Sequence, residues 1–489
     1  MMSDLRLRGL TLRGRRATAL GAALVGVLLI LGGGTLLSPA GSASHASGTP
    51  LVGRTTTICT TSAAPSGDAA GKTEVSAISI REAAGRAGLL TGSTLKSKPL
   101  ELKLTEPGKG AQEPGVNSPV VISADGGMAS ASSAAIVGDV VDGPEVGLKA
   151  APCLAPATSH WFSGLGATDA DRTELILTNP DDAQAQVDLR FYGRSGRIAV
   201  PGSPGVLIRA HESRTVSLSG LVEAEGALSV VVQASEGRVT AVAKRTHTDQ
   251  LKPAGVDWQI PSGPPSTVVV IPGIPENGGG RQLVVTNPGR TRTRVAVQIL
   301  GFQGPYEPSG AESLDVPPES TATVNLEEGL AGEAASVKLT SNLPVTGSVI
   351  STSRRSGAGI DLAVQSAAVP LIGSGVSAVA TSNIADSELI VSNGGDGDAQ
   401  MSYEVLSYEG VRLLTRDLVL GPNSTATRQL NSPAPSYLVI RVPDGSSVFG
   451  GVVLTQPERD VAGLATIPLS SPDLASRAPA TRPDYSVGH

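Results

Sequence analysis

The sequence predicts an all-β chain of tandem β-sandwich repeats behind one N-terminal transmembrane helix. Three observations carry that expectation. Apolar residues make up 40% of the 489, yet Phe, Trp and Tyr together number only twelve, so Val, Leu, Ile and Ala must fill the cores, and a core of β-branched aliphatics favours strands. A seven-residue segment recurs three times. Each recurrence is followed by alternation of period two, which places one side-chain face inward and the other in solvent. Gly (59) and Pro (35) are abundant but stay below the roughly 25–30% that marks a disordered chain.

The N-terminus reads as an export signal. Arg6, Arg8, Arg13, Arg15 and Arg16 (residues 1–16, a basic cytoplasmic segment) precede residues 17–37, which carry no charge. A helix of that length spans roughly 30 Å of hydrocarbon, and the arginines keep its start inside, so everything after it faces outward. Small residues at Ser38, Ala40, Gly41, Ser42 and Ala43 open a linker (38–58) and also offer a cleavage site. Two localisations therefore stand: a single-pass membrane protein held through 17–37, or a protein secreted after cleavage. Five arginines and Asp4 give the first sixteen residues +4, leaving −10 for the rest of a chain whose formal charge is −6. Such an acidic exported part argues against nucleic-acid partners, which need clustered Lys and Arg.

Residues 59–156 form an N-terminal β region, with strand-like runs at 75–80, 100–105, 120–123 and 128–136. Cys59 and Cys153 both lie beyond the apolar segment, where a disulfide persists. With no Cys-x-x-Cys and no neighbouring base, they read as a structural bridge rather than redox thiols. Val120 to Gly127 resembles the last hairpin of the later units. The region is therefore a candidate degenerate fourth copy whose thin core the disulfide compensates.

The three clear repeats occupy 157–262, 263–368 and 369–469. Glu174-Leu-Ile-Leu-Thr-Asn-Pro180 recurs as Gln282-Leu-Val-Val-Thr-Asn-Pro288 and Glu388-Leu-Ile-Val-Ser-Asn-Gly394. Asn179, Asn287 and Asn393 mark the strand ends, because proline cannot donate to a ladder and disfavours helix before it. Seventeen residues on, Gly196, Gly304 and Gly410 supply turns. A final hairpin is expected from 228–233 with 239–243 and its counterparts 336–339 with 345–350 and 438–441 with 448–454. Six or seven strands in about 105 residues match an immunoglobulin-like sandwich in size and strand density. The period of ~107 residues argues against closure into one propeller-like body, whose blades need about 40–50. Residues 470–489 are expected to be a disordered tail.

Each candidate for chemistry has a plainer structural reading. Leu343-Pro-Val-Thr-Gly347 fits a sortase pattern but falls where a repeat strand is expected. Ser93-Thr-Leu-Lys96 lacks the further motifs of penicillin-interacting enzymes. His211 takes the place of Glu319 and Asn423, and neither it nor His160 and His247 forms a metal pattern. Asp396-Gly-Asp398 lacks the bidentate acid that a calcium loop needs, Ser407 standing at its twelfth position. Trp161 and Trp258 each precede a repeat and read either as packing residues or as a ligand-stacking surface. No catalytic, cofactor-binding or metal-binding residues are assigned, and no cofactor or enzyme activity is expected.

Pro152-Cys153, His160-Trp-Phe-Ser-Gly164, the Leu-x-Leu-Thr-Asn-Pro segment, Gly255-Val-Asp-Trp258 and Val270-Ile-Pro-Gly-Ile-Pro275 together resemble a family of uncharacterised exported actinobacterial proteins, a domain of unknown function. The resemblance spans about Cys59 to Pro468. It implies an outward-facing, single-pass protein, and genes beside those of glycosyltransferases and mannose-phosphate enzymes imply a setting of envelope glycans. The expected function is a non-catalytic interaction or scaffold module of the cell envelope, with envelope proteins or glycans as partners. The alternative is an exported carbohydrate-binding or glycan-modifying accessory protein. A concave pocket with convergent carboxylates would favour that alternative.

Overall fold

The structure is a computed structural model that describes residues 52–472, apart from 62–71, 84–86, 223–226, 251, 277–278, 354–357, 383 and 457–459. The expected anchor at 17–37 and the tail beyond 472 lie outside the described residues. Among the described residues no helix is long and apolar enough to cross a membrane. The first unit contains β1 (Arg54–Cys59), β2 (Lys72–Ser79), β3 (Gly88–Thr94), β4 (Pro99–Leu104), β5 (Lys109–Pro114), β6 (Val120–Gly126), β7 (Ser132–Val140) and β8 (Gly147–Pro152). The second has β9 (Ser159–Leu165), β10 (Asp171–Asn179), β11 (Ala185–Gly193), β12 (Gly196–Ile198), β13 (Val206–Ile208), β14 (Glu212–Ser217), β15 (Leu228–Glu236), β16 (Thr240–Asp249) and β17 (Lys252–Gln259). The third has β18 (Ser266–Ile274), β19 (Arg281–Asn287), β20 (Thr293–Gly301), β21 (Gly304–Tyr306), β22 (Ser313–Val316), β23 (Ser320–Asn325), the short helix α1 (Glu327–Leu330), β24 (Ala335–Thr352) and β25 (Leu362–Ser366). The fourth has β26 (Ser374–Val379), β27 (Asp386–Asn393), β28 (Ala399–Ser407), β29 (Arg412–Leu420), β30 (Ser424–Gln429), β31 (Ser436–Arg441), β32 (Val448–Gln456) and β33 (Gly463–Pro468).

All four units share one strand order. In the first, β1-β6-β3-β4 faces β5-β2-β7-β8, and in the fourth, β26-β31-β28-β29 faces β30-β27-β32-β33. The second repeats this as β9-β15-β11-β12 and β14-β10-β16-β17, its fourth strand split so that β13 also pairs with β11. In the third unit β24 serves as both sixth and seventh strand: its first part pairs with β18 and β20, its second with β19 and β25. The expected last hairpin is therefore not a paired hairpin. Its two arms lie in opposite sheets, and the chain between them crosses from one layer to the other. The order also departs from an immunoglobulin constant domain, where the first strand shares a sheet with the second and the seventh with the sixth.

Alternation builds the cores. In the second unit Leu175, Leu177, Ala241 and Ala243 from one sheet meet Phe162, Leu189, Phe191, Val230 and Val232 from the other. The predicted turns stand where expected: Gly196, Gly304 and Gly410 all have positive φ (126°, 114° and 84°), a region open to glycine at no steric cost. One expectation needs correction. The outer faces of the repeated strands are not solvated, since Ile176, Val284 and Ile390 are buried too. Neighbouring units cover them, which is why these strands read Leu-Ile-Leu or Leu-Val-Val instead of alternating.

The described residues form one compact unit, and the sandwiches close on one another. β8 packs on β17, β17 on β25, β25 on β33, and β33 back on β8. Two successive junctions use the same hydroxyl chemistry. Ser229 bonds Thr286 (2.6 Å) and Thr321 donates to the Tyr192 carbonyl (2.9 Å); one unit on, Ser336 bonds Ser392 (2.6 Å) and Thr425 donates to the Leu300 carbonyl (2.6 Å). The fourth unit returns to the first through one apolar cluster containing Ile78, Leu148, Val376 and Leu406, and Tyr437 Oη donates to the Gly108 carbonyl (2.8 Å). The ~107-residue period was a reason to expect separate units. That reason applies to four-stranded blades, whereas complete sandwiches achieve closure here by joining their eighth strands.

Candidate functional site

The four eighth strands meet at one side chain. Asp361, fully buried, accepts backbone N–H bonds from Val256 (3.1 Å) and Leu362 (2.9 Å) on Oδ1, and from Leu148 (2.8 Å) and Leu464 (2.9 Å) on Oδ2. An ionised carboxylate has about four acceptor sites, and each is filled from a different unit. The donors occupy equivalent places, each one residue after Gly147, Gly255, Asp361 or Gly463. Only one side chain fits at the centre. A Cβ on Gly147 would lie 2.5 Å from Asp361 Oδ1, and one on Gly255 would lie 2.5 Å from the Leu362 nitrogen. Burial pushes the Asp361 carboxyl up to about 7, against the four amides, which favour its ionised form.

A second carboxylate lies on β17, two residues beyond Gly255. Asp257 accepts N–H bonds from Val364 and Trp258 (both 2.8 Å) and from Ala150. Burial raises it well above the carboxylate range, and the charge of Asp361 adds to the rise. Beside it, Lys149 lies 5.0 Å above the Trp258 ring, with burial lowering its pKa. At this junction of the first and second units, Lys244 Nζ sits between two carboxylates, Glu145 (2.6 Å) and Glu174 (2.7 Å), while Lys149 also reaches Glu145 (3.3 Å). Burial alone would raise Glu145, but the two lysines outweigh it and hold it below its ordinary value.

Among the described residues the junction of the third and fourth units leaves a cavity. A cavity of about 330 Å³ is lined by Glu276, Asp386 and Glu388, by Gln429 and Gln456, and by apolar Pro275, Val453 and Leu464. Arg281 lies in its wall with its guanidinium donating to the carbonyls of Pro275, Gly280 and Thr352 (all 3.0 Å). Burial lowers Arg281 to about 10, so it stays charged at neutral pH. Glu388 is raised by burial first and by the charge of Glu276 after that, with bonds to Thr427 and Gln429 opposing.

The family model for DUF5719, a family of unknown function, matches residues 105–431, two thirds of the chain. The chain belongs to DUF5719. Comparison with curated proteins gives no match. Among solved structures, the crystal structure of Thermotoga maritima 1070 is similar at 15% identity over 21% of this chain and 93% of that one, with a TM-score of 0.19. The full-length RrgB pilus protein of Streptococcus pneumoniae aligns at 7% identity over 80% of this chain and 59% of that one, with a TM-score of 0.10.

In this DUF5719 chain the residues singled out from sequence take mainly structural places. Cys59 and Cys153 are bonded to each other. Asn179, Asn287 and Asn393 are buried amide clamps. Each Nδ2 reaches three carbonyls, for Asn287 those of Thr291 (2.8 Å), Val316 (3.3 Å) and Pro317 (3.0 Å), and each Oδ1 accepts the N–H two residues on. Trp258 is 3% exposed in the first unit's core, which leaves it the packing role. Trp161 is half-buried and stacks on Tyr192 with ring centres 5.9 Å apart. His160 is buried, its Nε2 2.8 Å from the Val239 carbonyl. His211 lies beside Asp182 (2.8 Å), and it shares a left-handed backbone with Glu319 and Asn423 (φ 53°, 48° and 50°). His247 faces Asp171 across the β10–β16 ladder. Asn423 donates to Asp396 in the turn after β27. Leu343 to Gly347 runs inside β24 with Val345 and Thr346 fully buried, and Ser93 lies near the end of a paired strand with Lys96 in the exposed turn beyond it. Asp361, Glu276 and Glu388 were missed. Glu388 stood in plain view as the first residue of the third repeated heptapeptide.

Proposed function

We propose that this protein is a non-catalytic, membrane-anchored extracytoplasmic scaffold or interaction module of the cell envelope. It is built from four tandem immunoglobulin-sized sandwiches, the first beginning with the strand at Arg54 and ending near 156, the others over 157–262, 263–368 and 369–469. The single observation that carries the reading is the Asp361 hub. Four edge strands give up their free N–H groups to one saturated carboxylate, which fixes the outward surfaces of all four units relative to each other. Such rigidity suits a body that presents surfaces. The disulfide suits an oxidising compartment, and the arginine cluster before residues 17–37 suits an anchor with this body outside. The resemblance to exported actinobacterial proteins supports an envelope setting. With an epitope placed after His489, protease added to intact spheroplasts is expected to remove the tag, and alkaline washing is expected to leave the chain in the membrane. A tag that stays protected until lysis would end the reading.

A second reading, a glycan-binding accessory protein, is favoured by one observation: the cavity between the third and fourth units, whose lining includes Glu276, Asp386 and Glu388 together with apolar Pro275, Val453 and Leu464.

A further inference from the structure

The fourth strand of each sandwich is a sheet edge, and three of the four edges are blunted. β4 is six residues long and starts on Pro99. In the second unit a loop holding Pro201 and Pro204 breaks the edge between β12 and β13; in the third, Pro305 lies within β21 and Pro308 in the break before β22. Proline and short strands keep an edge from pairing with other chains. β29 has neither device. It runs unbroken for nine residues, pairs with β28 on one side and, among the described residues, with no strand on the other. Its outer face is apolar at both ends, with Leu413 50% and Val419 59% exposed. Its core-facing side carries Leu414 and Leu418 with Arg416 between them. β30, the edge of the facing sheet, lies beside it and bears Arg428 opposite Leu389. The same register position holds Val216 opposite Leu175 and Val324 opposite Leu283, both valines packed against their cores. Arg416 and Arg428 are instead exposed, and each guanidinium donates only to the carbonyl of the residue before it, Thr415 (2.8 Å) or Thr427 (2.6 Å).

We propose that β29 takes up an extended acidic segment of a partner protein, which adds to the sheet as a fifth strand. In strand addition the main-chain hydrogen bonds supply affinity and alternate side chains supply specificity. Successive side chains of the added strand point to opposite faces. A segment with Glu or Asp at every second position and Val or Ile between them therefore sets carboxylates toward Arg416 and Arg428, and apolar side chains against Leu413 and Val419. Such charge complementarity selects the partner and excludes like-charged strands. A second copy of the chain fits the edge less well. A two-fold antiparallel pair centred on β29 would set Arg416 directly opposite its own copy, and like charges so placed are destabilising. The inference rests on the interaction-module reading and gives that module a partner chemistry.

The test is fluorescence anisotropy of a labelled Thr-Val-Glu-Val-Glu-Val-Thr peptide titrated with the full chain in detergent. The peptide is expected to bind, and its counterpart with Lys in place of Glu to bind at least tenfold more weakly. Two versions of the acidic peptide, each N-methylated on one alternate set of amides, separate strand addition from charge attraction alone. An added strand points only one set at β29, so one version should lose binding and the other keep it. Arg416→Glu combined with Arg428→Glu changes exposed side chains only, and should weaken the acidic peptide at least tenfold while the melting temperature holds. Equal binding of the acidic and basic peptides, or of the two methylated versions, would overturn the proposal. So would no binding at 1 mM, and a dimer of the full chain dissolved by Leu413→Lys would then put a second copy on the edge. None of these results bears on the protease experiment that decides the interaction-module reading, so the inference can fail while that reading stands.

Discussion

Asp361 concentrates the consequences of this architecture in two oxygen atoms. Replacing it by Asn keeps Oδ1 as an acceptor for Val256 and Leu362 but turns an NH2 group toward the amides of Leu148 and Leu464. Leaving two buried donors unmet costs roughly 1–3 kcal/mol each, so D361N is expected to lower unfolding free energy by about 2–6 kcal/mol in urea titrations. The pH profile carries a second signature. Folded Asp361 holds its proton to about 7, while the unfolded side chain releases it near its ordinary 3.8. Between those values the native state binds more protons, so this group's contribution to stability falls as pH rises from about 4 to about 7 and is level above that. Relative to D361N, the wild type should lose up to about 1.4 kcal/mol per pH unit across that window. A wild type that gains stability over D361N as pH rises there would show that the amides outweigh burial.

Among elements, the legible ones were those whose neighbours lie close in sequence. The strands, the asparagine strand ends and the glycine turns follow from alternation and local backbone preference, and all three copies place them alike. The partner of a strand was not legible. The apolar runs Leu228 to Gln233 and Val239 to Ala243, on either side of a short turn, look like a hairpin. Yet β15 and β16 lie in different sheets, because the outer face of each must also be buried by another unit. The hub was hidden by a false register. Ala254-Gly-Val-Asp257 and Ala358-Gly-Ile-Asp361 look like one tetrapeptide, but ladder positions match Val256 to Leu362, so Gly255 corresponds to Asp361. The eighth strands also make a steric prediction. Gly255→Ala combines a positive φ (120°) with a Cβ 2.5 Å from the Leu362 nitrogen, whereas Gly202→Ala has positive φ (77°) and open space. Backbone strain of about 1–2 kcal/mol is common to both, and overpacking adds about 1–3 kcal/mol only at Gly255. Urea midpoints should fall distinctly further for Gly255→Ala, and equal shifts would mean the strands can part without loss.

At the scale of the whole molecule, closure predicts how the protein melts. Four independent sandwiches of about 105 residues would each unfold with an enthalpy near 70 kcal/mol around 60 °C, giving a calorimetric enthalpy several times the van't Hoff value. In the closed body no unit can leave alone. Losing the first removes the Leu148 N–H from Asp361 and uncovers the apolar cluster it shares with the fourth. One transition with the two enthalpies in near agreement is therefore expected. The disulfide sharpens the test, because it lies wholly within the first unit, joining residues 94 apart. Removing it costs on the order of 4 kcal/mol in the chain-entropy account. In a string of independent units, Cys59→Ala with Cys153→Ala would split off one early-melting quarter of the heat and leave the rest in place. In the closed body the same variant should move the entire transition down by several degrees with its shape intact. An early quarter-sized peak would show that the hub binds units that can still unfold one at a time.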